Sequence, residues 1–219
     1  GAPLLRGGMF KMRAKPESFQ GLGAKAFDIV KRTKEKTKLP FISEVTDPRQ
    51  ISDLYDLVDV FQVGSRNMHN YSLLKELGGT NKPVLLKRGF SGLVKEWLLA
   101  ADYVISGGNE KVMLCERGIR TFETSTRNTF DLNAIAYVKK HHNLPVIADP
   151  SHATGDSDLV IPMSLAAMAA GADGLIVEVH PNPEKALSDG EQALSLHEFS
   201  SLMRKLRDLA PHFEKKLLN

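Results

Sequence analysis

Cysteine is nearly absent from this chain. Cys115 is the only one in 219 residues, which excludes an internal disulfide framework and fits a reducing, cytoplasmic compartment. Long apolar runs are lacking too. The longest, Ile161 to Val177, is interrupted by Pro162, Gly171, Asp173 and Gly174, so it predicts a helix, a turn and a strand rather than a membrane span. The first residues show no signal-peptide pattern. Charge of one sign is also scarce: the net charge of +3 is too small for a nucleic-acid surface, although converging cations would suit anionic metabolites. No GxGxxG, Walker A loop, Cys-x-x-Cys pair or GxSxG elbow occurs. No linker, low-complexity segment or shift in composition divides the chain, so the reading is one domain over residues 1–219.

What is present is a strict alternation. Short apolar runs lie at Pro3–Arg6, Pro40–Glu44, Val58–Val63, Pro83–Lys87, Val112–Cys115, Pro145–Asp149 and Gly174–Glu178. They are almost continuously apolar, as in strands covered on both faces. Amphipathic helical patterns separate them. Leu93, Trp97, Ala101 and Val104 form one stripe, with Ser91 as the expected N-cap. Asp47-Pro48 pairs a cap with a proline suited to the first helical position. Ser195 and Glu198 form a capping box ahead of Phe199, Leu202 and Leu206. The basic run from Lys31 to Lys38 reads as a solvated helix end. Strands alternating with helices imply a parallel sheet. The fold class expected is α/β; a TIM (β/α)8-type barrel needs eight βα units, of which this chain would supply seven.

Ionisable residues end or quickly follow each strand-like run: Arg6, Glu44, Arg66, Lys87 with Arg88, Glu116 with Arg117, Asp149 with His152, and Glu178. The opposite ends differ, since prolines open four of the runs. In a barrel such residues would gather at the catalytic mouth. The cations Arg6, Lys11, Arg13, Arg66, Lys87 and Arg117 exceed what one phosphate requires and suit a substrate pair carrying two phosphates and a carboxylate. His152, Glu178 and Asp189 offer one nitrogen and two carboxylates, a set suited to a divalent metal such as Mn, Fe, Zn or Co. His180 could share the face of Glu178 or simply support it. His141 and His142 read as an exposed helix end, and Cys115 as buried strand packing.

Several runs resemble a known family. Leu5-Arg6-Gly7-Gly8, Phe10-Lys11, Ser18-Phe19-Gln20-Gly21-Leu22-Gly23, Gly64-Ser65-Arg66-Asn67-Met68 and Pro83-Val84-Leu85-Leu86-Lys87-Arg88-Gly89 are similar to the type Iβ 3-deoxy-D-arabino-heptulosonate-7-phosphate (DAHP) synthases. So are the run from Leu114 to Thr124, Asp149-Pro150-Ser151-His152-Ala153-Thr154-Gly155, and the segment from Glu178 to Gly190. The resemblance spans nearly the whole chain in order. It implies a transferase that condenses phosphoenolpyruvate with erythrose 4-phosphate, the first step of the shikimate pathway to aromatic amino acids. It implies His152, Glu178 and Asp189 as metal ligands; Arg66, Lys87 and Arg117 as the phosphoenolpyruvate clamp, with Arg6 and Lys11 beside it; and Arg13 as a contact to the aldose phosphate. Glu44 resembles the acid that positions the reacting water, and Lys11 or a metal-bound water is implied as the proton donor to the new alkoxide. A homo-oligomer, dimer or tetramer, is implied as well.

Two departures qualify the resemblance. The family opens its barrel with a strand bearing Gly-Pro-Cys-Ser, whose cysteine is a further metal ligand; that strand and its helix have no counterpart here, so an N-terminally incomplete barrel is expected. No regulatory domain is visible. The aldose-gripping loop, Lys-Pro-Arg-Thr-Ser in the family, is Lys11-Met12-Arg13-Ala14-Lys15, so the threonine hydroxyl is gone at Ala14 and Met12 is expected to loosen the loop relative to proline. Two alternatives follow. One is 3-deoxy-D-manno-octulosonate-8-phosphate (KDO8P) synthase, which takes arabinose 5-phosphate; its loop is one residue longer between Lys and Arg. The other is a non-catalytic incomplete barrel that binds phosphorylated ligands.

Overall fold

Each predicted apolar run becomes a parallel strand in the computed structural model, which describes residues 1–218. The strands are β1 (Leu5–Arg6), β2 (Phe41–Glu44), β3 (Val60–Val63), β4 (Val84–Lys87), β5 (Val112–Glu116), β6 (Val146–Ala148) and β7 (Gly174–Leu175), ordered as in the chain. The helices are α1 (Phe27–Thr37), α2 (Gln50–Leu54), α3 (Tyr71–Gly78), α4 (Val94–Ser106), α5 (Leu132–His141), α6 (Pro150–Thr154), α7 (Ser157–Ala169) and α8 (Leu196–Leu209). The chain divides into two compact units, Ala2–Met113 and 114–218.

In the first unit Leu5 pairs with Phe41, Ile42 with Val60, and Phe61 with Val84. The prolines that open the runs fall just outside the strands, because proline has no N–H to give a ladder. Their carbonyls still serve: Leu5 N–H donates to Pro40 O (3.0 Å) and Phe61 N–H to Pro83 O (2.9 Å). Strands β3 and β4 are buried throughout. Leu73, Leu74 and Leu77 of α3 and Trp97, Ala101 and Val104 of α4 are fully buried as well. Trp97 donates its indole N–H to Leu86 O at 3.0 Å, which ties α4 to β4.

In the second unit Leu114 pairs with Val146 and Ile147 with Gly174. Its core joins Val160 and Met168 of α7 to Leu194, Leu202, Leu206 and Ala210. Both units use one device at a strand start. Asp59 Oδ2 accepts from Phe41 N–H and Asp173 Oδ2 from Val146 N–H, each at 2.7 Å. Each aspartate also holds a lysine of the preceding helix, Lys34 at 2.7 Å and Lys139 at 2.9 Å.

Some local expectations need correction. Helix α4 starts at Val94, with Leu93 rather than Ser91 at the cap position; Glu96 Oε2 accepts from Leu93 N–H (2.8 Å), and the Leu93 side chain is 64% exposed, outside the buried stripe. Asp47 makes a turn instead of a cap, taking Arg49 N–H on Oδ1, so α2 begins at Gln50. Strand β7 stops at Leu175; beyond it Glu178 O accepts from Leu194 N–H and Val179 bridges Leu194. The basic end of α1 is only partly solvated, since Lys34 reaches Leu57 O and Asp59. The Ser195–Glu198 capping box, buried Cys115 and exposed His141 and His142 stand as expected. No helix among the described residues is long and apolar enough to cross a membrane.

Candidate active site

Ionisable groups gather at the strand ends, and each unit brings its own set together. In the first, Glu44 ends β2 and lies beside Gln62 of β3, its register partner; Gln62 Nε2 donates to Glu44 Oε2 at 3.3 Å. On the other side is Gly64, where a Cβ would run into Glu44 Oε1. Glu44 is largely enclosed. Burial pushes its carboxyl above the ordinary value of 4.5, while Lys87, Arg6, Lys11 and Arg66 pull it the other way. Four of the predicted cations thus act on one carboxylate, and Arg13 is not among them.

The loop after β1 is pinned rather than loose. Met9 N–H donates to Ser43 Oγ (3.2 Å) and Lys11 N–H to Gln20 O (2.9 Å). Gly21, at φ 94°, closes the turn where any Cβ would overlap Met9 O. Asn67 Nδ2 donates to Met12 Sδ and to Thr46 O, each at 3.1 Å. Met12 therefore docks onto the end of β3 instead of freeing the loop. Arg66 stacks over the Phe90 ring at 5.1 Å. Arg88 is structural: Nε donates to Gly92 O (2.9 Å), and its guanidinium lies 5.9 Å from the Trp97 ring.

In the second unit, Glu116 ends β5 and accepts from Gly118 N–H at 2.7 Å. Arg117 is buried. Burial holds its guanidinium below the ordinary range, Asp149 opposes this, and nearby Arg127 adds to it. Asp149 caps α6, with Pro150 at the first helical position and Gly155 (φ 73°) closing the helix. This short helix presents His152. Asp149 takes the His152 N–H on Oδ1 (3.0 Å) and faces ring Nδ1 with both oxygens, at 3.0 and 2.9 Å. Ring Nε2 faces Glu178 Oε1 at 3.5 Å. Asp189, the third expected ligand, contacts Arg127 through Oδ1 at 3.5 Å.

Among the described residues no group of three His, Cys, Asp or Glu side chains is placed to hold a metal ion. The His152–Glu178 pair nevertheless fits one by its donor chemistry. Asp149 is an acceptor, so Nδ1 carries a hydrogen, and in the neutral ring Nε2 then holds a lone pair. That lone pair meets a carboxylate oxygen, an arrangement that a proton or a cation between them relieves. The Asp149–His152 contact is the outer-shell bond that metal-ligating histidines need.

Residues that sequence reasoning missed are the ones that brace these groups. Gln62, Arg127, Asn128 and Gln192 are neutral or lie away from the strand ends, so neither of the two signals used, charge and position, marked them.

Parallel strands joined by helices, with charged groups at their ends, place the protein in the class of (β/α)8-barrel proteins, here with seven βα units. Its family follows from comparison. The family model described as the DAHP synthetase I family matches residues 2–215, and the chain belongs to that family. The phospho-2-dehydro-3-deoxyheptonate aldolase of Thermotoga maritima is 48% identical over 210 residues, which cover 96% of this chain and 62% of that protein. A 2-dehydro-3-deoxyphosphooctonate aldolase from Desulfotalea psychrophila is 31% identical over 89% of this chain and 72% of its own length. The crystal structure of the Thermotoga DAHP synthase superposes with a TM-score of 0.94 at 46% identity, covering 98% of this chain and 63% of that one. A truncated form of the Thermotoga enzyme gives 0.90 at 43% identity, covering 98% of this chain and 78% of that one.

Proposed function

We propose that this chain serves the condensation of phosphoenolpyruvate with erythrose 4-phosphate to give DAHP and phosphate, with residues 1–219 acting as one catalytic domain. The observation that carries the reading is the set of four cations that act on the half-buried carboxyl of Glu44 at the strand ends of the first unit. So much positive charge in one place suits anionic substrates, and a lone acid within it can act on water. Membership of the family supplies the reaction class.

In this reading Arg66, Lys87 and Arg117 hold the phosphate and carboxylate of phosphoenolpyruvate, with Arg6 and Lys11 beside them. Arg13 contacts the aldose phosphate. The cations offset the mutual repulsion of two anionic substrates and keep carbon 3 of phosphoenolpyruvate in line with the aldehyde carbon. As that bond forms, the aldehyde oxygen takes a proton from Lys11. Glu44 orients the water that adds at carbon 2, and phosphate then leaves by C–O cleavage. His152, Glu178 and Asp189 would hold a divalent ion, of Mn, Fe, Zn or Co type. Such an ion supplies Lewis-acid polarisation of the aldehyde when bound. A cytoplasmic homo-oligomer, dimer or tetramer, without nucleic-acid or membrane partners, completes the proposal.

The test is phosphate release from phosphoenolpyruvate with Mn²⁺ and either erythrose 4-phosphate or arabinose 5-phosphate. Turnover that depends on erythrose 4-phosphate supports the reading. Preference for arabinose 5-phosphate would reassign the chain to the KDO8P reaction. Phosphoenolpyruvate binding without turnover on either aldose would make it a non-catalytic module.

A further inference from the structure

Strand β3 reads Val-Phe-Gln-Val and is buried throughout, so Gln62 is its one polar side chain. Burying an amide costs free energy unless its groups are bonded. Only half of this amide is. Nε2 donates to Glu44 Oε2 at 3.3 Å, while Oε1 is buried without a hydrogen-bond partner among the described residues. The main chain fixes the same pair. Glu44 and Gln62 are register partners of β2 and β3, and Gln62 O accepts from Val45 N–H at 3.0 Å. The amide therefore meets the half-buried carboxyl from a fixed place on the neighbouring strand.

The direction of the amide carries information. An ionised carboxylate can only accept hydrogen bonds, whereas a protonated carboxyl can also donate one. Turned over, the amide would offer Oε1 to a protonated Glu44, and the orphan acceptor would gain a partner. The structure instead faces the acid with Nε2 and leaves Oε1 orphaned, which is the orientation that an ionised Glu44 selects. The other groups facing this acid are charged. Burial pushes the carboxyl up, and Lys87 of β4, Arg6 of β1, Lys11 in the loop after β1 and Arg66 just past β3 pull it down. Their Coulomb attraction has little directional preference; a hydrogen bond has one.

We propose that Gln62 is a positioning residue for Glu44: its amide donates to the carboxylate, fixes the direction of the acid from β3 and favours its ionised form over its protonated one. The catalytic consequence rests on the reading of Glu44 as the acid that orients the reacting water, because the ionised form is the stronger acceptor for that water's hydrogen. Without the donor the carboxyl should titrate about 0.5–1 pH unit higher.

The experiment follows the Glu44 side-chain carboxyl carbon by NMR against pH in the wild-type chain, Gln62→Met and Gln62→Glu, with the signal assigned by Glu44→Gln. The acidic limb of kcat/KM for phosphoenolpyruvate is measured over the same range. Gln62→Met removes one donor but also one orphan acceptor, so β3 should still fold. Gln62→Glu keeps the shape and puts an acceptor where the donor was; if Gln62→Met does not fold, this variant decides alone. We expect Glu44 to titrate about 0.5–1 pH unit higher in Gln62→Met and higher still in Gln62→Glu, where two carboxyls share the site. The acidic limb should move with it. An unmoved or lowered titration overturns the proposal. Weaker phosphoenolpyruvate binding with an unmoved titration also overturns it, and makes Gln62 a substrate ligand. The NMR measurement needs no turnover, so the two readings separate: a titration that moves while the acidic limb stays supports the Gln62 contact and overturns the role of Glu44 in the reaction.

Discussion

Gly64 and Glu44 should be energetically coupled, and the coupling should reverse the sign of a mutation. Gly64 has φ −69° and ψ 159°, a conformation open to any residue. Its glycine is required only by the neighbour: an added Cβ overlaps Glu44 Oε1 and sits 2.9 Å from Glu44 Cδ. The carboxylate is not free to swing away, because Gln62 holds its other oxygen at 3.3 Å. Gly64→Ala should therefore behave as overpacking and destabilise the wild-type chain by about 1–3 kcal/mol. In a Glu44→Ala background the obstruction is gone. The same substitution then acts mainly on the unfolded chain and should stabilise by about 0.4–1 kcal/mol. The coupling energy is thus on the order of 1.5–4 kcal/mol. Urea unfolding of the wild type, both single variants and the double variant measures it directly. Equal costs of Gly64→Ala in the two backgrounds would falsify the packing argument. The catalytic reading adds a second observable, since displacing a positioned acid by about 1 Å can cost roughly 100-fold in rate; Gly64→Ala should lose kcat well beyond its loss of stability.

Two further outcomes follow from single groups. Burial raises the Glu44 carboxyl above its ordinary 4.5, so between these two values the folded chain keeps a proton that the unfolded chain has released, and stability falls as pH rises through that window. Glu44→Gln removes this term; its stability relative to wild type should climb from pH 4.5 towards neutrality in urea melts, and a flat or falling difference would contradict the burial argument. Trp97→Phe removes the indole donor to Leu86 O in a fully buried site and should cost about 0.5–1.5 kcal/mol for the lost hydrogen bond. Thermal or urea unfolding within error of wild type would mean that this carbonyl finds another donor.

The barrel-type fold was legible because its signal is redundant. Seven apolar runs, prolines at their openings and ionisable groups at their ends all point to the same strands, and a strand covered on both faces tolerates little else. What failed lay at element ends, where a few tenths of a kcal/mol decide. Ser91 looks like a cap in sequence, yet Glu96 can satisfy Leu93 N–H and start the helix later. Gly174 to Glu178 looks like one strand, yet after Leu175 the chain turns its hydrogen bonds to Leu194. Such choices depend on partners far along the chain, which periodicity does not encode.

The candidate site was legible to the extent that its groups carry charge. Glu44, Lys87, Arg6 and Arg66 announce themselves at or just past strand ends, Lys11 lies in the loop after β1, and the structure gathers the cations on the acid. The groups that orient them are quieter. Gln62 is neutral and buried within a strand, where its amide reads as an interruption of an apolar run. Asn67 matters through a contact to Met12 Sδ, a partner 55 residues away. That contact also changes the meaning of Met12: a residue that looked like a loosened loop is a docking point. Orientation is then a property of pairs, and it is the pairs that carry specificity in a crowded charged site. An acid flanked by four cations could point in several directions of similar Coulomb energy. The short neutral contacts, Gln62 on one oxygen and the bare Cα of Gly64 beside the other, select one of them.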